Sequence, residues 1–542
     1  MPIAKPSRHL AVIAAALLLG TPLPAAAAQQ TRSEAATTVA DYAQFDGIFA
    51  DFQQQKHIPG MVYGIVADGR LVHVRTFGVQ DLAAKRPVTP DSLFRIASMT
   101  KSFTALAILA LRDQGRLRLD DPVENYVPEL KKWRYPTADS PRIRVRDLLH
   151  HNAGFVTDDP WGDRQTPMPE AEFTQLLRTG VPFSSPPGSR MEYSNFGYAL
   201  LGRVVSNVAG MPYRTFVERN LLRPLGMTSS GFEVSEAPAA LRALGYRWEN
   251  DTWTEEPTMR HGAFGAMGGL QTSAKDYARY VAWLLSAWPA RDAADTGPVR
   301  RSSVRDLAQG AGFTELRKRM IDGRSCDQAV HYGMGMRVFA DCDLKTVLNH
   351  GGGYPGYGSG LLLLPEYGVG LFVFSNRTYA GGSEALWSAA SAMKAKGMLQ
   401  ARPQPVSPDV ARAYAAVRTI YRAGDVLAAR DSLADNFLMD MSAADWRARL
   451  QTVRAKAGAC SDEAPPQPRG ALAADFRWQC ERGLLQGTLL LAPTTPTTLQ
   501  SLQIRIADQP PWRKDGVTIL SASIRRSIDR GYQRENGGRG KD

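Results

Sequence analysis

The chain has 542 residues, 44% of them hydrophobic and 22% charged, with a formal net charge of +12. That composition excludes a disordered or low-complexity protein, and the length allows two to four domains with a sizeable core. The positive charge suits attraction to anionic surfaces such as cell-envelope polymers, but no nucleic-acid motif accompanies it, and nucleic acid is not an expected partner.

Residues 1–28 read as a secretory signal peptide: Lys5 and Arg8 lead, an apolar run from Leu10 to Gly20 follows, and Ala26-Ala27-Ala28 offers a cleavage site. The apolar run is too short to span a bilayer comfortably, and no transmembrane segment is expected after cleavage. An exported protein, periplasmic or secreted, also suits the four cysteines, Cys326, Cys342, Cys460 and Cys480. Four cysteines allow three pairings. Cys326–Cys342 and Cys460–Cys480 are expected, because each pair then falls within one domain.

After a polar leader, residues 41–55 carry helical spacing through Tyr42, Phe45, Ile48, Phe49 and Phe52. Two apolar runs around Asp68-Gly69 predict a β-hairpin. In Leu93-Phe94-Arg95-Ile96-Ala97-Ser98-Met99-Thr100-Lys101, small and turn-tolerant residues lead into a helix whose buried stripe is Phe103, Leu106, Leu109 and Ala110. Ser98 then sits at the helix N-terminus, with Lys101 one turn on along the same face. Residues 146–154 predict a short helix ending at Gly154. Residues 156–170 predict a surface loop. Tyr193-Ser194-Asn195 stands on a loop entering a helix, and Thr272 or Ser273 caps another.

Strands are predicted over 331–339, 345–349, 360–364 and 369–374. His350-Gly351-Gly352-Gly353 is read as ending one of them and opening a glycine-rich loop. A helix over 384–397 follows. Pro403, Pro405 and Pro408 mark a linker to a small α+β domain over 406–510, and residues 511–542 form a basic tail with eight Lys/Arg against four Asp/Glu.

Ser98-x-x-Lys101, Tyr193-x-Asn195 and His350-x-Gly352 form an ordered constellation. A serine hydroxyl is a weak nucleophile and needs a base; Lys101 and Tyr193 can share that role. Asn195 can hold a substrate amide and orient Lys101. The backbone N–H of Gly353 can join that of Ser98 in an oxyanion hole, and Gly352 lets substrate approach closely. His150-His151 lacks metal-ligand spacing and is read as structural support for the site's wall. No G-x-S-x-G elbow is present.

This constellation resembles the serine β-lactamase and penicillin-binding-protein superfamily, in its branch of class C β-lactamases, D-aminopeptidases, D-Ala-D-Ala carboxypeptidases and family VIII-type esterases. Supporting stretches are Phe94-Arg95-Ile96-Ala97, Asp147-Leu148-Leu149-His150-His151-Asn152-Ala153-Gly154, Pro187-Gly188, Pro224-Leu225-Gly226-Met227 and Gly268-Gly269-Leu270. The resemblance covers residues 41–398. It implies a β-lactamase-like mixed α/β fold, an antiparallel sheet flanked by helices plus a helical region, and an acyl-enzyme mechanism on a small-molecule or peptide substrate with no metal or organic cofactor. One departure narrows it: His350-Gly351-Gly352 stands where β-lactamases and carboxypeptidases carry Lys-Thr/Ser-Gly. Esterases and D-aminopeptidases of the branch often carry His-x-Gly. An esterase or D-amino-acid peptidase is therefore expected first, a β-lactamase or D-Ala-D-Ala carboxypeptidase second, and an inactive peptidoglycan- or peptide-binding relative third.

Overall fold

The computed structural model describes residues 42–157, 162–321 and 323–507. The expected signal peptide at 1–28 and the expected basic tail at 511–542 lie outside the described residues. Among the described residues no helix is long and apolar enough to cross a membrane.

A nine-stranded antiparallel sheet organises the larger part of the chain. Its strands are β1 (Gly60–Ala67), β2 (Arg70–Asp81), β3 (Arg86–Pro87), β4 (Gly312–Ile321), β5 (Arg324–Tyr332), β6 (Arg337–Asp341), β7 (Lys345–Tyr354), β8 (Tyr357–Leu364) and β9 (Val369–Ser375), in the order β3-β2-β1-β9-β8-β7-β6-β5-β4. The β1–β2 hairpin turns at Asp68 and Gly69, both at positive φ, as the Asp-Gly pair predicts. It closes onto the last strand, with Met61 opposite Ser375 and Val66 opposite Gly370.

The helices that pack on the sheet or frame the site are α1 (Asp46–Gln55), α2 (Thr100–Asp113), α3 (Val145–Leu149), α4 (Asn195–Ala209), α5 (Ala274–Leu285) and α6 (Ser383–Ala395). They bury both faces of the sheet. Every residue of β1 is buried, and alternate side chains enter different cores. Val62 and Val66 join Phe372 and Phe374 under Tyr277 and Val281 of α5. Tyr63 and Ile65 join Leu371 and Val373 against Phe49 and Phe52 of α1 and Met393 of α6. Each such side chain contributes about 1.5–3 kcal/mol of burial.

Helix α2 departs from the expected single stripe. Thr100 through Leu111 are buried on every side, so α2 is the central helix of the molecule. Its polar residues are satisfied internally: Tyr280 donates to Ser102 Oγ at 2.7 Å, and Thr104 Oγ1 donates to the Ala266 carbonyl at 2.7 Å.

Three strand expectations need correction. The stretch 331–339 is broken, because Gly333 N–H turns back to the Met336 carbonyl at 2.8 Å and Gly335 takes φ +74 to pass the Lys101 backbone. Strand β7 does not end at His350. It runs through all three glycines to Tyr354, paired in register with β8 from Leu348↔Leu363 to Tyr354↔Tyr357. Strand β4 was not expected, since its charged and apolar residues carry no burial signal: Phe313, Leu316 and Met320 are exposed on the sheet's outer edge.

Residues 408–507 build a separate core. Helices α7 (Pro408–Ala423) and α8 (Ala443–Ala457) cover a sheet of β10 (Cys460–Ser461), β11 (Gln467–Gly470), β12 (Ala473–Cys480), β13 (Gly483–Ala492) and β14 (Thr498–Ala507). Val417, Ile420, Trp446, Trp478 and Leu489 fill it. The two disulfides pair as expected, Cys326–Cys342 beside the sheet's outer strands and Cys460–Cys480 across β10 and β12.

Candidate active site

Ser98 lies in a 3-10 turn, Ala97–Met99, that enters α2. Ala97 takes φ +48, costly for a residue with a Cβ, and the surroundings hold it there. Ile96 N–H donates to the Leu270 carbonyl at 3.0 Å, Leu270 N–H donates to Thr100 Oγ1 at 3.1 Å, and Ser359 Oγ donates to the Ile96 carbonyl at 2.8 Å. The turn that carries Ser98 is thus tied to the strand pair Phe94–Arg95/Gln271–Thr272 and to β8.

Lys101 is buried, and its Nζ meets three oxygens: Ser98 Oγ at 3.1 Å, Asn195 Oδ1 at 2.8 Å and the Met267 carbonyl at 2.8 Å. Two of these can only accept, so they take two N–H bonds and fix the amine. The third position faces a hydroxyl, which can accept from an ammonium or donate to a neutral amine. Proton exchange between Ser98 and Lys101 therefore needs no rearrangement. The rings of Tyr193 and Tyr198 lie beside the amine, their centroids 5.0 Å and 5.5 Å from Nζ.

Asn195 is the first residue of α4, capped by Ser194, whose Oγ accepts from Gly197 N–H at 3.2 Å. The loop before it rests on His151. That imidazole accepts the Ser194 N–H on Nδ1 at 3.1 Å, and the His151 carbonyl accepts Glu192 N–H at 2.8 Å. His151 stands at φ +59 and packs among Tyr193, Tyr198 and Tyr332. Burial, then the Lys101 charge, pushes its pKa well below the ordinary histidine value. His150 Nδ1 faces the Tyr332 carbonyl at 3.3 Å. Both histidines support the wall, as the sequence suggests.

His350 is also buried, and both nitrogens are engaged. A carbonyl only accepts, so Nδ1–H donates to Gly351 O at 2.6 Å, and Nε2 accepts from the Tyr332 hydroxyl at 3.0 Å. Burial and the nearby Lys101 charge lower its pKa to about 3. It meets the cleft as a neutral surface, without a charge for gripping substrate.

Glycine is required at 352. A Cβ there would lie 2.1 Å from Ser359 Oγ and 2.4 Å from the Ile96 carbonyl, so β7 presses directly on the turn before Ser98. Pairing of β6 with β7 ends at Arg337↔Asn349, which leaves residues 350–354 with an open edge. The two-residue loop Pro355-Gly356 makes Tyr354 and Tyr357 a hydrogen-bonded pair. Alternation then turns the N–H and C=O of Gly351 and Gly353 out toward that edge.

Ser98, Tyr193, His350 and Gly351 share a cleft of about 390 Å³ with Arg317, Arg337, Asn349, Ser383, Glu384 and Trp387. Sequence reasoning did not single out Arg337, Tyr332 or the Met267 carbonyl. Arg337 and Tyr332 are brought to the site by sheet register, and the Met267 carbonyl by the helical turn Gly265–Gly268, neither of which local sequence defines.

The Beta-lactamase family model matches residues 45–394. Protein flp of Staphylococcus aureus (strain COL) is 33% identical over 211 residues, covering 39% of this chain and 42% of that protein. The uncharacterized protein MT1414 of Mycobacterium tuberculosis (strain CDC 1551 / Oshkosh) is 32% identical over 244 residues, 40% of this chain and 59% of that protein. The alignments thus span 42% of flp and 59% of MT1414. The octameric penicillin-binding protein homologue from Pyrococcus abyssi superposes with a TM-score of 0.56 at 20% identity, covering 84% of this chain and 91% of that one. A class C β-lactamase gives 0.52 at 20% identity, covering 67% and 97%. At these identities the superpositions show the fold, a mixed α/β, β-lactamase-like one. On the family match over residues 45–394, this chain belongs to the Beta-lactamase family.

Proposed function

We propose that this is an exported hydrolase that forms an acyl-enzyme at Ser98 on ester or amide substrates, of the esterase or D-amino-acid peptidase type. The observation that carries the reading is the buried Lys101 amine, held by Asn195 Oδ1 and the Met267 carbonyl and aimed at Ser98 Oγ at 3.1 Å. In this reading Ser98 Oγ attacks the substrate carbonyl and gives its proton to the base pair Lys101 and Tyr193. The carbonyl oxygen gains charge against the N–H groups of Ser98 and Gly353. The proton then passes to the leaving group as the carbonyl reforms. A water activated by the same pair releases the acyl group from Ser98. Asn195 and Gly352 position substrate, and His350 supplies a neutral wall. The step as written uses no metal or organic cofactor. Two disulfides within the described residues suit an oxidising, exported setting, periplasmic or secreted, and the net charge of +12 suits cell-envelope association.

A second reading, a β-lactamase or D-Ala-D-Ala carboxypeptidase, is favoured by one feature. Arg337 lines the same cleft and lowers the pKa of both His151 and His350 by its charge. A guanidinium there could hold a substrate carboxylate where the sequence lacks a lysine. Purified protein assayed with p-nitrophenyl esters, D-amino-acid amides and a fluorescent penicillin separates these readings. Ester or amide turnover that Ser98→Ala abolishes supports the first; penicillin hydrolysis, or stable penicillin labelling, without such turnover favours the second. Binding without turnover or labelling by either would leave an inactive relative.

A further inference from the structure

Tyr379 is an outlier in three respects. It is an aromatic residue at φ +55, a backbone state that few side chains adopt and that persists where the surroundings impose it. Its side chain is 59% exposed, although it stands beside the catalytic strand. Its ring lies so close to Gly353 that a Cβ on that glycine would be 2.5 Å from Tyr379 Cδ1. The backbone around it is tied down: Tyr379 N–H donates to the Tyr357 carbonyl at 3.1 Å, and Gly381 N–H donates to the Tyr379 carbonyl at 3.0 Å.

The ring leads to a second element. The Tyr379 hydroxyl donates to Asp163 Oδ2 at 3.2 Å. Asp163 opens the short turn Asp163–Gln165, in which Arg164 pairs with Glu256 at 3.5 Å, and beyond it the Met168 carbonyl accepts from Ala263 N–H at 2.9 Å.

The faces of β7 show what this contact does. Side chains alternate along a strand, so Gly352 and Tyr354 point to one face and Gly351 and Gly353 to the other. Gly352 faces Ala97, and Tyr354 packs with Arg95 on that same face, its hydroxyl donating to Met259 Sδ at 3.7 Å and standing near Thr166, whose own hydroxyl donates to the Asp163 carbonyl at 2.6 Å. Tyr379 is rooted on the opposite face, over Gly353. The link from Tyr379 to Asp163 therefore passes from one face of β7 to the other. Strand β8 occupies one edge, so the link rounds the open edge at its hairpin end.

That edge is where an acyl group would lie. The leaving group must sit near its proton donor, Tyr193, which shares the cleft with His350, Gly351 and Arg337. The acyl portion then extends the other way from Ser98, along the edge past Gly353. We infer that Tyr379, braced by Asp163, is a stop at the end of the acyl subsite that restricts the enzyme to short acyl groups. This rests on the reading of Ser98 as the nucleophile. The substrate class it selects is an ester or amide of a small acyl group, such as a single amino-acid residue, cleaved from a larger leaving group. A long fatty acyl chain or an internal bond of a polymer would meet the tyrosine.

The test holds the leaving group constant and varies the acyl chain. kcat/KM is measured for p-nitrophenyl acetate and p-nitrophenyl octanoate with the wild type, Tyr379→Gly, Asp163→Asn and Ser98→Ala. Glycine tolerates φ +55, so Tyr379→Gly removes the ring without straining the backbone. The octanoate-to-acetate ratio is expected to rise on the order of tenfold in Tyr379→Gly and by a smaller factor in Asp163→Asn. A ratio within about twofold of the wild type in both variants, with turnover still dependent on Ser98, overturns the assignment of Tyr379 alone. Turnover that survives Ser98→Ala, or none in the wild type, overturns the Ser98 reading and this inference together.

Discussion

His350 is legible in the sequence as a residue type, while its surroundings are set by the fold. Its place beside the glycines marks the strand that lines the cleft, and an imidazole there in place of an ammonium points away from a charged grip. What the sequence could not show is that both ring nitrogens are spent on Gly351 O and the Tyr332 hydroxyl. The second partner comes from β5 and reaches the ring only through sheet register. The same burial has a consequence for stability. The folded pKa, about 3, lies below the ordinary 6.5, so between those values the unfolded chain binds the extra proton. Stability contributed by neutral His350 is full above pH 6.5 and is lost as pH falls toward 3. His150 and His151 are lowered too and act in the same direction. Thermal melts of the wild type should therefore fall more steeply from pH 7 to pH 4 than those of His350→Gln. Parallel curves would show that the imidazole is not held neutral.

At the scale of elements, what is legible depends on whether the signal is local. The Asp68-Gly69 hairpin, the Ser194-capped start of α4 and the start of α2 are written in adjacent residues and stand where expected. The all-round burial of α2 is not local, because it depends on neighbours from distant segments such as 195–209, 265–268 and 274–285. Strand β7 is the sharper case. Three consecutive glycines argue for a loop by propensity, yet pairing with β8 holds them extended. Each has its own neighbour: a Cβ at Gly352 would strike Ser359 Oγ and the Ile96 carbonyl, whereas at Gly351 the nearest atom, Ser383 Oγ, is 3.4 Å away. Gly352→Ala is expected to cost about 1–3 kcal/mol through overpacking and to displace the turn carrying Ser98. Gly351→Ala should be tolerated. Denaturant titrations and ester turnover of the two variants check this contrast, and equal effects would contradict the close approach of β7 to residues 96–97.

Among the described residues, Val410 to Ile504 of the C-terminal stretch form a core of their own, and the Pro403–Pro408 stretch lies just before it. Strand β13, a leucine-rich run without alternation to mark it, was not anticipated. Cys460 and Cys480 are separated by 20 residues, and a bridge of that span contributes about 3 kcal/mol in the chain-entropy description. The double variant Cys460→Ser/Cys480→Ser should therefore destabilise the C-terminal core while leaving Ser98 reactivity unchanged, as read by calorimetry beside active-site labelling. The account as a whole rests on Ser98 being a nucleophile activated by Lys101. Intact-mass and peptide-mapping spectrometry after treatment with a fluorophosphonate tests this most directly. The predicted result is one adduct, on Ser98, absent from Ser98→Ala and slowed on the order of a hundredfold or more in Lys101→Met. An adduct on another residue, or an undiminished rate in Lys101→Met, would contradict it.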